Sequence, residues 1–380
     1  MAGDGAAAGG PGPYPAAMEI DLAAVAANLA VVRDRLAGGR AIVAAVKGDA
    51  YGHGAAMVAR SLARGGVDWL AAGSLRDAEA VRRAGVATPL LLLGPLQAED
   101  IPQVLAGRLV PTLDTEAAAG LLAQAVPAPQ PVAVKVDCGF GRFGVPLDRA
   151  AAFVRWLAGL PALRLAALYT HLPFADEAGL RWAAARTAAF DGMVDALRRD
   201  GLAPPVVQSV ASPGLVAGIA DRGTAIAAGH LLYGLSPVTG PLAARCAALG
   251  LRPAFRGITT RLVHVGHPLP GGAAAGYLQR QDGAVGVVPI GIQDGYRPQP
   301  GAAFMMIRGR PAPVLRVCLE NTILGLQHCP EAGLGDPVLV AGAASAGEVP
   351  LAELAGWQQS SPLALLTAFG RSLPRRYHGA

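Results

Sequence analysis

Eight short apolar runs recur between residues 41 and 234, and they limit what this chain can fold into more than any other feature. They are AIVAAV (41–46), DWLAAG (68–73), PLLLLG (89–94), LVPTL (109–113), PVAVKV (131–136), LAALYT (165–170), VVQSV (206–210) and AIAAGHLLYG (225–234). Between them lie segments of helical periodicity such as GLRWAAARTAAFDGMVDALRRDG (179–201). Continuous apolar strands alternating with helices imply parallel strands buried on both faces. A doubly wound open sheet is one solution. The count of eight favours the other, an α/β fold of the (β/α)8 TIM-type barrel, although LVPTL and the last run are weak strands.

The flanks read differently. Residues 1–16 are rich in Gly, Ala and Pro and lack a basic segment ahead of an apolar one, so they read as a flexible tail. MEIDLAAVAANLAVVRDRLAGG then predicts a strand and a helix, with Asp21 placed to cap and Gly38-Gly39 to stop it. From about residue 250, RLVHVGH, AVGVVPIG, AFMMIRG, APVLRVC and DPVLVAG are short strands separated by Gly/Pro turns, and AELAGWQQ is one short helix. The expected division is therefore a tail at 1–16, a barrel at 17–248 and a mostly-β domain at 249–380.

Charge and cysteine usage exclude several classes. The formal charge is +5, but no Lys/Arg run or aromatic interleaving marks a nucleic-acid surface. No apolar run is long enough to span a bilayer. Cys138, Cys246, Cys318 and Cys329 are far apart, which indicates neither a metal site nor a disulfide framework, and a reducing, cytoplasmic compartment is expected.

Lysine usage points to the chemistry. Of 32 Lys and Arg residues only Lys47 and Lys135 are lysine. The chain supplies positive charge with arginine, so these two positions are expected to need a primary amine. Strand ends carry the site in a parallel barrel. Lys47 ends the first run, Lys135 lies near the end of the fifth, and His171 ends the sixth. Ser212 follows the seventh, and Gly229 and His230 fall in the eighth. A lysine in this position is either a structural amine paired with a carboxylate or a Schiff-base lysine that attacks a carbonyl once desolvated.

Here a resemblance enters. VKGDAYGHG (46–54) is similar to the pyridoxal-phosphate attachment motif of the alanine racemase family, differing at Gly48. KVDCGFGRFGV, YTHLPFAD, GHLLYGLSP, VVPIGIQDGYRP, RVCLEN and LPRRY resemble further motifs of that family, in the same order along nearly the whole chain. The resemblance implies a barrel holding pyridoxal 5'-phosphate and a β domain that reaches over the partner's barrel in a homodimer with shared active sites. It implies that Lys47 carries the cofactor, and that Tyr51, Ser212, Gly229 and His230 hold the phosphate. Arg142 would bond the phenolate oxygen. Lys135 would be open to carbamylation and would then orient Arg142. Tyr277 would be the second base from the opposite subunit, with His171 bonded to it. The backbone at Leu319 would meet the substrate carboxylate.

The chain also departs from that pattern. Ala227 stands where the family has an arginine facing the pyridine nitrogen, and Gln208 where it has that arginine's supporting histidine. Gln208 is therefore a candidate cofactor contact. Ala211 replaces an asparagine, Ile292 and Leu363 replace two tyrosines at the entrance, Leu319 replaces a methionine and Glu320 an aspartate. The reading is an amino-acid racemase or epimerase using two bases, with a substrate that need not be alanine. The alternatives are a pyridoxal-phosphate lyase acting by retro-aldol cleavage, β-elimination or decarboxylation, and a non-catalytic cofactor-binding protein. His53, Asp294 and Cys318 read as structural residues.

Overall fold

The computed structural model describes residues 16–267, 283–299 and 301–379. Eight parallel strands close on themselves: Ala41–Ala45, Trp69–Ala72, Leu90–Pro95, Val110–Leu113, Gln130–Asp137, Leu163–Tyr169, Val206–Gln208 and Ala225–Ala228. Every apolar run of the sequence supplies one strand. The last run is strand only as far as Ala228, and His230–Tyr233 coil into a 3-10 turn instead. Closure is made by pairing Ala225 with Ala41 and Ala228 with Ala44.

Alternate residues of each strand fill the barrel. Val43, Ala71, Leu91, Val110, Ala133 and Tyr169 belong to one buried cluster in its interior. The residues between them, such as Ile42, Ala44 and Leu70, are equally buried. Burial on both faces is why these strands are uninterrupted apolar runs rather than alternating ones.

The helices start where side chains can satisfy their first N–H groups. Ser74 caps Leu75–Arg83, Thr115 caps Glu116–Ala125 and Asp176 caps Glu177–Arg199. The first helix, Leu22–Val32, ends in a π turn at Arg33–Ala37 and stops at Gly38, whose φ of 57° suits glycine. Buried Asn28 ties that helix to the chain after the eighth strand. Its Nδ2 donates to the Leu232 and Arg252 carbonyls at 3.1 and 2.7 Å, and its Oδ1 accepts from Arg252 N at 2.8 Å.

The second unit is mostly β. In order across its sheet run His264–Gly266, Val285–Val288, Thr322–Gly325, Arg310–Val317, Phe304–Ile307, Pro337–Ala344, Phe255–Arg261, Ala17–Asp21 and Arg375–His378. The division between units is not linear. By its contacts this unit takes in residues up to Asp21, Tyr51–His53 and Phe255–His378, and the barrel unit the remainder. The strand Ala17–Asp21, grouped with the barrel on sequence order, thus pairs with Phe255–Arg261 and Arg375–His378. Half-buried Glu19 joins them, bonding Thr259 Oγ1 at 2.9 Å, Arg376 at 3.1 Å and His378 Nε2 at 2.7 Å. Besides the expected short helix at Leu351–Trp357, a second runs over Pro362–Ser372, capped by Ser361 with Pro362 in its first turn. That Ser-Pro start was a legible signal.

Asn28→Ala removes three hydrogen bonds and leaves the buried Leu232 carbonyl without this partner. A buried group left unsatisfied costs about 1–3 kcal/mol. The variant is expected to lower the thermal unfolding midpoint by several degrees, measured by circular dichroism against the unsubstituted chain.

Candidate active site

The chain just after the first barrel strand is unusual. Gly48, Asp49, Ala50 and Tyr51 all have positive φ, between 54° and 62°, which makes one turn of left-handed helix. For L-residues other than glycine this costs roughly 1–2 kcal/mol each. Such strain persists only where the surroundings over-determine it. Ala50 N bonds back to Val46 O at 2.9 Å and Gly54 N to Asp49 O at 2.8 Å. Asp77 accepts from Gly48 N and Asp49 N, both at 3.0 Å. Asp49 in turn accepts from Ala55 N at 2.7 Å, at the start of the helix Ala55–Arg64.

Tyr51–His53 pack with the β unit. Gly52 has φ 85°, and a side chain there would meet the Leu366 carbonyl at 2.0 Å. The Gly52 carbonyl accepts from Arg375 Nε at 2.8 Å. Buried His53 places Nδ1 3.1 Å from the Tyr51 carbonyl, in keeping with a loop-fixing role. Burial pushes the Tyr51 hydroxyl's pKa up, so it is a neutral phenol.

The other candidate residues of the barrel unit converge on the same strand ends. Burial, and then the Arg142 guanidinium, pull the Lys47 amine below the usual lysine range. Lys135 is 2% exposed, donates to the Phe143 carbonyl and lies 4.2 Å from the Phe143 ring. Burial and Arg142 lower its pKa too. Arg142 sits over the rings of Phe140 and Phe143 at 5.0 and 4.9 Å. Its loop is organised by Asp137, whose Oδ1 accepts from Gly139, Phe140 and Gly141 N at 2.8–3.2 Å. His171 meets the edge of Phe140 at 5.9 Å. Its pKa is pushed down to about 3 by burial, then by Lys47, Arg142, Lys135 and His230.

Ser212 and Gly229 meet, with Gly229 N donating to Ser212 Oγ at 3.0 Å in a buried setting. The closing register places Gly229 directly after Ala228, and Tyr233 OH reaches back to Ala45 O at 2.9 Å. The Gln208 amide donates to Val210 O at 3.1 Å and is 5% exposed, so its NH2 already serves the backbone beyond its own strand. Ala227 follows on the neighbouring strand, bonded through its N–H to Val210 O.

The remaining candidates lie in the β unit. Leu319 is 63% exposed and Ile292 38%. Asp294 is buried and closes its turn by accepting from Gly291 N at 3.0 Å, as a structural residue would. Cys318 is half-buried. Tyr277 lies outside the described residues. Sequence reading missed Asp77, Asp137 and Tyr169. Tyr169 shares a 2.8 Å hydrogen bond with Thr112 inside the barrel, and burial raises its pKa. Asp77 had one legible sign, the Ser74-x-x-Asp77 spacing of a helix start.

The barrel unit's strand ends therefore hold a partly desolvated amine, a second buried lysine, an arginine and two histidines. At His171 every charged group that shifts the ring is a cation. That field, with buried N–H and hydroxyl groups at Ser212 and Gly229, fits an anionic ligand such as a phosphate ester. Among the described residues no cluster of His, Cys, Asp and Glu could hold a metal ion.

Comparison with known proteins decides the class. The signature "Alanine racemase, N-terminal domain" matches residues 20–237, and "Alanine racemase, C-terminal domain" matches 258–377. The chain belongs to the alanine racemase family. It is 30% identical to the alanine racemase of Syntrophobacter fumaroxidans, over 95% of this chain and 97% of that one. It is 29% identical to that of Desulfovibrio desulfuricans, over 96% and 98%. Among solved structures, alanine racemase from Clostridium difficile 630 superposes with a TM-score of 0.87 at 26% identity, covering 96% of each chain. That of Streptomyces coelicolor A3(2) gives 0.81 at 27%, covering 96% and 98%. Enzymes of this family use pyridoxal 5'-phosphate and racemise amino acids. The cation-lined strand ends fit that cofactor. Among the described residues no helix is long and apolar enough to cross a membrane.

The depressed pKa of His171 makes a stability prediction for the cofactor-free protein. Below about 6.5 the unfolded chain binds a proton that the folded site refuses until about 3. The contribution of His171 is therefore complete above 6.5 and declines as pH falls towards 3. His171→Asn should flatten the fall in unfolding midpoint between pH 7 and pH 4.5, as followed by thermal melts.

Proposed function

We propose that this chain racemises a free amino acid by two-base proton transfer at Cα, with Lys47 serving one face and Tyr277 of a partner subunit the other. The observation that carries the proposal is the partly desolvated amine of Lys47 at the end of the first barrel strand, beside Arg142. An amine with lowered pKa is available as a nucleophile and as a general base at neutral pH. When bound, pyridoxal phosphate spreads the negative charge that develops at Cα into its ring.

The residues divide the work as follows. Lys47 carries the cofactor and takes or returns the proton on its face. Ser212, the backbone of Gly229 and His230, and Tyr51 hold the phosphate. Arg142 bonds the phenolate oxygen, held in place by its Phe140 and Phe143 rings. Lys135 has the burial and lowered pKa that carbamylation needs, since only the neutral amine takes up carbon dioxide. His171, kept neutral, can accept a hydrogen bond from the phenol of Tyr277. Racemisation needs two bases because a proton leaves one face and another arrives on the opposite face. The assembly proposed is a homodimer with shared sites, in which Leu319 offers its backbone to the substrate carboxylate.

A bulkier amino acid than alanine is a second reading. It is favoured by Ala227 and Gln208 in place of an arginine and histidine, and by apolar Ile292 and Leu363 in place of two phenols. A small apolar residue where a large polar one stood leaves room and removes hydroxyl groups.

The test is deuterium incorporation at Cα in heavy water across a panel of amino acids. Washout of at least one, with loss of optical activity, is expected. Lys47→Ala should abolish the visible cofactor band and the exchange. Tyr277→Phe should keep the band and lower racemisation at least 100-fold, more in one direction of proton transfer. Release of aldehyde, ammonia or carbon dioxide without washout would place the chain among the lyases.

A further inference from the structure

We propose that Asp77 is a positioning residue for Lys47: its carboxylate clamps the left-handed turn that follows the lysine and so aims the amine. The proposal rests on reading Lys47 as the cofactor lysine.

The turn leaves Gly48 and Asp49 at its start, and their N–H groups point towards Leu75–Arg83, the helix that follows the second barrel strand. Asp77 takes one on each oxygen, Gly48 N on Oδ2 and Asp49 N on Oδ1, both at 3.0 Å. Two parallel N–H groups match the two oxygens of one carboxylate, and charge-assisted bonds of this kind are the stronger ones. Asp77 is itself fixed. It is 6% exposed, it stands in the first turn of Leu75–Arg83, and its N–H donates to Ser74 Oγ at 3.2 Å. An acidic residue at this place in a capping box would turn back to the helix's own first amides. Here both oxygens reach the segment after the neighbouring strand.

The helix start also presses on the lysine stem. A Cβ at Gly73 would stand 2.8 Å from Lys47 Cβ and 3.6 Å from Asp77 Oδ2. Glycine at 73 lets the two segments approach, and the carboxylate then locks the amides in the strained turn. The direction in which the Lys47 side chain leaves the backbone follows from that lock.

Asp77→Asn is the decisive variant. It keeps size and shape but offers one acceptor and one NH2, and the NH2 faces an amide N–H that it cannot serve. Three readouts are taken on the full-length protein. Hydrogen–deuterium exchange of the peptide spanning residues 46–54, without cofactor, is expected to quicken at least tenfold while other barrel peptides are unchanged. Reductive amination of the cofactor-free protein with propionaldehyde, mapped by mass spectrometry, should label Lys47 about tenfold more slowly, with Lys135 as internal reference. Attachment of pyridoxal phosphate, followed by its visible band, should slow in parallel. Exchange and labelling at unsubstituted rates would overturn the proposal, as would faster exchange with Lys47 labelling unaltered. An unsubstituted protein that takes up no pyridoxal phosphate would instead sink the reading of Lys47, while exchange and aldehyde labelling still decide the clamp. Should Asp77→Asn fail to fold, Gly73→Ala keeps the carboxylate but displaces the lysine stem. It is expected to slow Lys47 labelling at least fivefold, and an unchanged rate overturns the proposal.

Discussion

The barrel unit's site depends on the parallel pairing that returns from Ala225–Ala228 to Ala41–Ala45. A parallel ladder aligns strand ends on one side of the sheet, and closing it into a barrel brings the last strand end beside the first. Gly229 and Ser212 thereby come into hydrogen-bond contact, and Tyr233 reaches Ala45. An open sheet with the same strands would leave the first and eighth ends at opposite edges. Lys47 and the Ser212–Gly229 pair would then have no common surroundings.

Closure also explains the electrostatics. The strand ends bring Arg142 close enough to disfavour protonation of Lys47, Lys135 and His171, and Lys47 close enough to do the same to His171 and His230. Burial adds to this by removing water from the charged forms. The result is an amine that is more easily neutral and an imidazole that stays neutral, within a field that suits an anion. Concentrating like charges opposes folding. Two carboxylates meanwhile work on the backbone. Asp137 organises the loop carrying Arg142, and Asp77 holds the turn after Lys47. Both act through amide N–H groups, so they order the catalytic segments by way of the main chain.

Much of the fold was legible because the barrel has a simple sequence signature. Strands buried on both faces must be apolar throughout, and eight such runs separated by helical segments left few solutions. The errors have local causes. AIAAGHLLYG is apolar over ten residues, yet Gly229 breaks the ladder and His230–Tyr233 coil, because periodicity cannot distinguish strand from tight turn in a short apolar run. Ala17–Asp21 was grouped with the barrel because it precedes the barrel's first helix, whereas its hydrogen bonds go to strands more than 230 residues away. Asp77 escaped notice because an acidic residue in a first helical turn is common, and nothing local shows where its oxygens point.

By itself the sequence determined the class of fold, the two amine positions and the membership of motifs in a known order. It could do so because apolar periodicity and residue type are local properties. The tertiary structure alone decided which charges share a field, how far Lys47 and His171 are pulled from their ordinary pKa values, and which carboxylate grips which amide. Those depend on distances between residues far apart in the chain, and on the exclusion of water that only a closed barrel provides.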